Sequence, residues 1–322
     1  MPTKRASGAP AAAGKADMAA FHAAVAISSK LVQQTLARRP KPGAVKAASA
    51  KVLKAATAKT APPIKPAFVK AAGTRPLGTL VAEGDSWFDY FWFDILNKLD
   101  DMGYEIEEVA SAGDRVEDMA YSGEQLDALR RLLDKLIRRN SPPVAILLSG
   151  GGNDVTGDLA VLLNHAGSAS PGPNDDVVRG VIDVRLRDAY LTILLSITEL
   201  CVNLTGQAIP IILHGYARPR PDGKGVLGGA GPLPGPWLRP AFNYKGFADD
   251  QANTVVMGAL IDRFNDMLGR ITMLPAFKHV SYVDLRPVLD NSAATYKTWW
   301  GNELHPTDKG FSAVAKKIAE RI

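Results

Sequence analysis

The apolar residues of this chain change their spacing near Leu77. From there on, short apolar runs alternate with longer stretches in which apolar residues recur every three or four positions. Five of the short runs predict β-strands, and their nearly continuous apolar character predicts a parallel sheet covered on both faces. The predicted strands are Gly78–Ala82, Tyr104–Ala110, Val144–Leu148, Ile209–Leu213 and His279–Val283.

The intervals between these strands carry helical spacing, which is clearest where leucines mark one face of the segment Glu124–Arg139. The predicted helices are Phe91–Met102, Glu124–Arg139, Val177–Thr205, Ala252–Thr272 and Asp308–Ile322. Two long irregular stretches, Gly157–Asp176 and Arg218–Phe247, interrupt the alternation. Loops of this length in a compact domain commonly form binding loops, and we interpret both as walls of a pocket.

Charge divides the chain into two parts. Residues 1–75 hold 14 Lys and Arg residues and one acidic residue, Asp17, whereas residues 76–322 hold 24 basic and 32 acidic residues. The first part is rich in Ala and has too little bulky apolar surface to form a core, so we predict a basic tail that is disordered or partly helical. Its lysines leave open an anionic partner, although no nucleic-acid motif accompanies them.

The tail does not establish localisation. It contains no clear signal peptide, which slightly favours the cytoplasm. No run of about 18 apolar residues is present, so no transmembrane segment is predicted. The single cysteine, Cys201, excludes an intramolecular disulfide.

Candidate chemistry follows three of the predicted strands. Ser86 ends the sequence Gly84-Asp85-Ser86, Gly113 follows the second strand, and Asn153 follows three glycines after the third strand. The carboxyl ends of parallel strands meet at one edge of a sheet, so these residues are expected to lie together. A serine hydroxyl there can act as a nucleophile, while backbone N–H groups and a side-chain amide can stabilise an oxyanion.

A candidate base comes from the C-terminal segment. His305 precedes Pro306 and the last predicted helix, and can therefore reach the same edge of the sheet. Individually, each of these residues also has a structural interpretation: Ser86 as a helix cap, Gly113 as a turn residue and Asn153 as a cap. The function hypothesis rests on their occurring together.

This ordered set resembles the SGNH (GDSL-type) hydrolase family. Gly84-Asp85-Ser86 is similar to its first block, Gly113 to its second, Gly152-Asn153-Asp154 to its third, and the segment ending in His305 to its fifth. The resemblance implies a three-layer α/β/α sandwich around a flavodoxin-like, parallel five-stranded sheet in residues 76–322. It further implies Ser86 as nucleophile, His305 as base, and the Ser86 N–H, Gly113 N–H and Asn153 amide as oxyanion hole. No metal or organic cofactor is expected.

One residue departs from the family pattern. The family usually has Asp three residues before the catalytic His, whereas this chain has Asn302. An Asn can orient the imidazole but cannot stabilise the imidazolium by charge. We expect a Ser86–His305 dyad oriented by Asn302 or by a backbone carbonyl, with Glu303 or Asp284 as alternative sources of a carboxylate.

The leading hypothesis is therefore hydrolysis of carboxylic esters through an acyl-enzyme on Ser86, with a small-molecule, lipid or sugar ester as substrate. Acyl transfer by the same site and a weakly catalytic binding protein anchored by its tail remain alternatives. Among the tryptophans, Trp87 and Trp300 adjoin the motifs and are predicted to face the pocket, whereas Trp92 is predicted to fill the core. The sequence does not identify the acyl or alcohol part of the substrate.

Overall fold

The structure is a computed structural model that describes residues 14–38, 76–228 and 234–322. Its centre is a sheet of five parallel strands in the order β2-β1-β3-β4-β5. The strands are β1 (Thr79–Glu83), β2 (Glu105–Glu108), β3 (Ala145–Leu148), β4 (Ile211–His214) and β5 (Val280–Val283). All residues of β1, β3 and β4 are buried, as their apolar sequences predict.

Helices cover both faces of this sheet. On one face α2 (Ile95–Asp101) packs against the C-terminal helix. On the other face three long helices contact one another, with shorter helices around them: Lys15–Ala37, Glu124–Arg138 and Asp175–Thr205. The remaining helices are α3 (Val116–Tyr121), α4 (Glu124–Arg138), α5 (Gly152–Gly157), α6 (Leu159–Leu162), α7 (Asp175–Thr205), α8 (Arg239–Tyr244), α9 (Asp250–Thr272), α10 (Tyr296–Trp299) and α11 (Asp308–Ala319). The predicted three-layer α/β/α fold with a five-stranded parallel sheet is thus confirmed.

Two helices differ in detail from the prediction. Helix α2 begins four residues later than the predicted start because Asp94 caps it, accepting a hydrogen bond from the Asn97 N–H at 2.8 Å. The residues before the cap form turns, and Trp92, which was predicted to lie in the core, is 58 % exposed. Helix α7 contains a π-helical stretch, Arg179–Leu186, between its two α-helical parts.

Helix α7 is long and apolar enough to cross a membrane by length and composition, the one such helix among the described residues. Within this fold, however, 56 % of its most apolar window is buried against the rest of the chain. Such burial is typical of a helix that belongs to a protein core.

Part of the predicted basic tail is a helix that packs on the domain. Helix α1 (Lys15–Ala37) lies against α7 and buries one face, including Ala24 and Val32. Asp17 near its start is also buried and lies close to Arg187 and Arg270. The sequence did not predict this packing, because the buried positions of the helix are small or polar residues apart from Val32. The other residues of 1–75 lie outside the described part, and the division of the chain at residue 76 stays a prediction.

Candidate active site

Ser86 lies at the carboxyl end of β1, in a turn held by its neighbours. Gly84 allows β1 to approach β3 closely, because a Cβ there would lie 2.7 Å from the Ser149 side chain. The buried Asp85 carboxylate accepts hydrogen bonds from the Trp87 N–H at 3.1 Å, from the Ser149 hydroxyl at 2.9 Å and from Tyr216. These contacts fix the turn, so that Ser86 is left partly exposed at the edge of the sheet.

His305 meets Ser86 from the C-terminal segment. The Ser86 Oγ and His305 Nε2 atoms are 2.8 Å apart, which is hydrogen-bond distance. The segment is positioned by a bridge between Trp300 and Pro306 and by a 3.1 Å hydrogen bond from the Trp87 indole to the Leu304 carbonyl. The predicted nucleophile and base are therefore in direct contact, although 219 residues separate them in sequence.

Asn302 lies beside the imidazole. Its Oδ1 accepts hydrogen bonds from the backbone N–H groups of Leu304 and His305, both at 2.9 Å, and lies 3.2 Å from His305 Nδ1. The two backbone donors require an oxygen in this position, so the amide cannot be reversed. An oxygen facing Nδ1 favours the tautomer that carries its proton there. Nε2 is then unprotonated and can accept the Ser86 proton.

Neither alternative carboxylate performs this orienting contact. Glu303 is fully buried and accepts four backbone N–H groups from the segment 223–239 at 2.7–3.0 Å. Asp284 is paired with Arg286. Both alternative carboxylates thus have other partners, and neither contacts the His305 imidazole. Glu303 instead joins the long loop after β4 to the segment that carries His305.

Burial controls the charge state of His305. The side chain is 5 % exposed, and this desolvation lowers its pKa to about 3. Tyr90 stacks on the imidazole with ring centroids 4.1 Å apart, and Trp237 meets it edge-on at 5.7 Å. With an amide instead of a carboxylate beside it, the imidazole is neutral over the whole physiological range.

The predicted oxyanion donors surround the same edge. Asn153 Nδ2 donates to the Asp114 carbonyl at 2.9 Å, which leaves its second amide hydrogen free to meet a ligand. Gly113 has φ of +95° and open space where a Cβ would be, so its exposed backbone can be approached closely. For the Ser86 and Gly113 N–H groups, residues 14–38, 76–228 and 234–322 supply no acceptor.

A cleft opens beside Ser86. Its walls are mostly apolar and include both tryptophans that were predicted to face a pocket. The lining comprises Asp85, Ser86, Trp87, Gly152, Asn153, Thr156, Tyr216, Ala217, Pro219, Met257, Ile261, Trp300 and Leu304. The loop after β4 contributes Pro219 to this wall, whereas no residue of Gly157–Asp176 reaches it.

Tyr90 is a site residue that sequence analysis missed. Besides stacking on His305, its hydroxyl accepts a hydrogen bond from Asn302 Nδ2 at 2.9 Å. It stands four positions after Ser86 within an aromatic run, where no motif distinguishes it from its neighbours. Its spacing from the nucleophile was the only available signal.

The described residues contain no group of three or more His, Cys, Asp or Glu side chains arranged to hold a metal ion. The chain thus combines a five-stranded parallel α/β sheet with a contact array of Ser86, His305 and Asn302 at the carboxyl ends of its strands.

Comparison with known proteins yields matches among solved structures alone. No protein-family model matches the chain, and no curated protein does. The lipase Lip_vut3 from a goat rumen metagenome has a TM-score of 0.45 and 13 % identity, covering 76 % of this chain and 96 % of its own. A catalytic mutant of Axe2, an acetylxylan esterase from Geobacillus stearothermophilus, has a TM-score of 0.40 and 13 % identity, covering 76 % of this chain and 94 % of its own. LAE5, an alpha/beta hydrolase from the metagenome of Lake Arreo, has a TM-score of 0.41 and 14 % identity, covering 77 % of this chain and 95 % of its own.

Proposed function

We propose that this protein is a serine-dependent hydrolase of carboxylic esters, with Ser86 as nucleophile and His305 as general base. The observation that carries the proposal is the 2.8 Å contact between Ser86 Oγ and His305 Nε2 at the mouth of the cleft. A partly exposed hydroxyl paired with a neutral, oriented imidazole is the arrangement that activates a serine for attack on a carbonyl.

In the first half-reaction, Ser86 Oγ attacks the ester carbonyl carbon while its proton moves to His305 Nε2. The Ser86 and Gly113 N–H groups and the free hydrogen of the Asn153 amide stabilise the oxyanion that forms. The tetrahedral intermediate then collapses, the carbon–oxygen bond to the alcohol breaks, and His305 returns the proton to the departing oxygen. The products are the free alcohol and an acyl group on Ser86.

In the second half-reaction, water enters in place of the alcohol. His305 takes a proton from the water as it attacks the acyl carbon, and then protonates Ser86 Oγ as the acid leaves. Throughout both halves Asn302 keeps the Nδ1 proton in place, but it provides no negative charge beside the imidazolium. We therefore expect catalysis to be slower than in a comparable site with a carboxylate.

The cleft supports an apolar group on at least one side of the ester bond. Trp87, Met257, Ile261 and Leu304 offer apolar surface, and charged groups other than the fully engaged Asp85 do not line it. Burial of alkyl or aromatic carbon against such walls contributes about 25 cal/mol for each Å² removed from water. Esters with apolar groups should therefore bind more tightly than charged ones.

The test is turnover of a p-nitrophenyl ester by purified variants. Ser86→Ala and His305→Ala should each lower kcat by about 10³-fold or more, because the nucleophile and its base act together as one catalytic unit. The matched control is Ser122→Ala, which changes an exposed serine at the end of α3 and should leave turnover unchanged. Undiminished turnover in folded Ser86→Ala protein would refute the proposal.

A further inference from the structure

The cleft beside Ser86 holds one of the two groups of an ester. Met257 and Ile261 line it, whereas His305 and the two rings that contact its imidazole do not. The two groups of an ester leave the carbonyl carbon in different directions, so the second group extends away from the cleft. In the proposed hydrolysis His305 returns its proton to the departing alcohol oxygen, which must then lie within hydrogen-bond distance of Nε2. The alcohol group therefore leaves beside His305, and the cleft holds the acyl group.

Trp237 is the ring beside His305 that keeps exposed surface. Tyr90 covers one face of the imidazole and is itself buried. Trp237 meets the imidazole edge-on, with ring centroids 5.7 Å apart, and is only partly buried. It belongs to the loop after β4, which the sequence pattern predicts to be a pocket wall. A partly exposed indole at this place offers a flat apolar surface on the alcohol side of Ser86.

Contacts within the protein hold Trp237 in place. Its backbone N–H donates to Glu303 at 2.7 Å, and this fully buried carboxylate also accepts the N–H groups of the next two residues. The indole lies against the loop backbone at Gly235, where a Cβ would be 2.6 Å from a carbon of the ring. A ring that is already fixed loses little conformational entropy when a ligand packs on it, so Trp237 is preorganised as a binding surface.

We propose that Trp237 binds the alcohol part of the ester and gives the site a preference for alcohols that carry an aromatic ring. The inference rests on the proposed ester hydrolysis, in which His305 protonates the departing oxygen. The acyl group lies in the cleft against Met257 and Ile261 of α9, and the ring of the alcohol packs on the Trp237 indole. The two halves of the substrate are thus selected by different elements, the acyl half by α9 and the alcohol half by the loop after β4.

The test compares benzyl acetate with ethyl acetate, which share the acyl group and differ in a phenyl or a methyl group on the alcohol carbon. Unmodified protein should have a kcat/KM about tenfold higher for benzyl acetate, because a packed aromatic pair adds to the area that is buried. Trp237→Ala should lose most of this preference, while kcat/KM for ethyl acetate changes by less than about threefold. Trp237→Phe keeps a ring and should retain most of the preference.

Two further variants and a second pair of esters complete the design. Trp237→Leu keeps apolar bulk without a flat ring and should show the same selective loss as Trp237→Ala. Tyr244→Ala, which removes an exposed aromatic ring at the end of α8, is the matched control and should leave the preference unchanged. The ratio of kcat/KM for ethyl hexanoate and ethyl acetate reports on the acyl side and should be the same in unmodified protein and Trp237→Ala. Circular dichroism should show that each variant is folded.

The possible outcomes separate this inference from the proposed function. An equal loss with benzyl and ethyl acetate would mean that Trp237 only supports His305, and an unchanged preference in both Trp237→Ala and Trp237→Leu would mean that it does not contact the alcohol. A changed ratio for the two ethyl esters would place the acyl group beside Trp237. Each of these results would overturn the inference and leave ester hydrolysis standing. Failure of unmodified protein to hydrolyse any of the three esters would instead contradict the proposed function itself.

Discussion

Replacement of Asn302 by Asp probes how this site orients its base. Asn302 Oδ1 accepts two backbone N–H groups and faces His305 Nδ1, and Nδ2 donates to the Tyr90 hydroxyl. An Asp side chain has the same shape and keeps the Oδ1 contacts. The Tyr90 hydroxyl would then donate to the second carboxyl oxygen instead of accepting. The substitution therefore adds a negative charge without removing a hydrogen bond.

The size of the effect follows from the 3.2 Å distance between Asn302 Oδ1 and His305 Nδ1. With an effective dielectric constant of about 20, a unit charge at this distance attracts an imidazolium by about 5 kcal/mol. At 1.36 kcal/mol per pKa unit, and after subtraction of the cost of burying the new carboxylate, the His305 pKa should rise by roughly two to four units. The imidazolium is only partly formed in the transition state and gains part of this attraction, so kcat should increase by about 10- to 10³-fold.

The assay is the pH profile of p-nitrophenyl ester turnover by unmodified protein and Asn302→Asp. The acid limb of kcat/KM should move to higher pH in the variant, because the free enzyme's base is protonated more easily. Tyr90→Phe is the control: it removes the hydroxyl that Asn302 contacts but adds no charge, so the acid limb should stay in place. A folded Asn302→Asp protein with an unshifted acid limb would refute the assignment of Asn302 as the orienting residue.

Three further predictions concern individual groups. Because burial lowers the His305 pKa to about 3, the base stays neutral as pH falls below 6.5, and kcat/KM of unmodified protein should hold near its plateau at pH 5; a limb with a midpoint at pH 6.5 would contradict this. Asn153→Ala should lower kcat by about 10²–10³-fold with little change in KM, as measured by steady-state kinetics, because it removes one oxyanion donor. Glu83 has a folded pKa of about 8 against 4.5 as its ordinary value, so the folded state holds an extra proton between these values and loses stability as pH rises through them. The free energy of unfolding of Glu83→Gln, measured in urea relative to that of unmodified protein, should therefore increase by up to about 4 kcal/mol between pH 5 and pH 9. If the two proteins instead show the same pH dependence, the carboxyl is solvated.

Much of the fold could be predicted from the apolar pattern, because buried parallel strands require continuous apolar runs. All five strands fall within one or two residues of the predicted ranges. The pattern was less informative where a local cap decides the boundary, as at Asp94 before α2. It was uninformative for α1, because small and polar residues such as Ala24 and Ser28 can face solvent or pack closely against another helix.

The candidate site shows a similar division. Motifs at strand ends were sufficient to bring Ser86 and His305 together in prediction, since the sheet places strand ends at one edge. The orienting group was predicted to be Asn302 or a backbone carbonyl, but Glu303 and Asp284 stayed open as alternatives because they too lie near the histidine or the end of the fifth strand. Only the backbone turn after Asn302, which directs two N–H groups at its Oδ1, distinguishes them.

The most direct test of the central claim is labelling with a fluorophosphonate, followed by mass spectrometry of the digested protein. A serine activated by His305 should form a covalent phosphonyl adduct on Ser86, and the adduct should be lost in His305→Ala while that protein stays folded. Labelling that is absent from Ser86, or that persists in His305→Ala at the same rate, would contradict the proposal that these two residues form a catalytic pair.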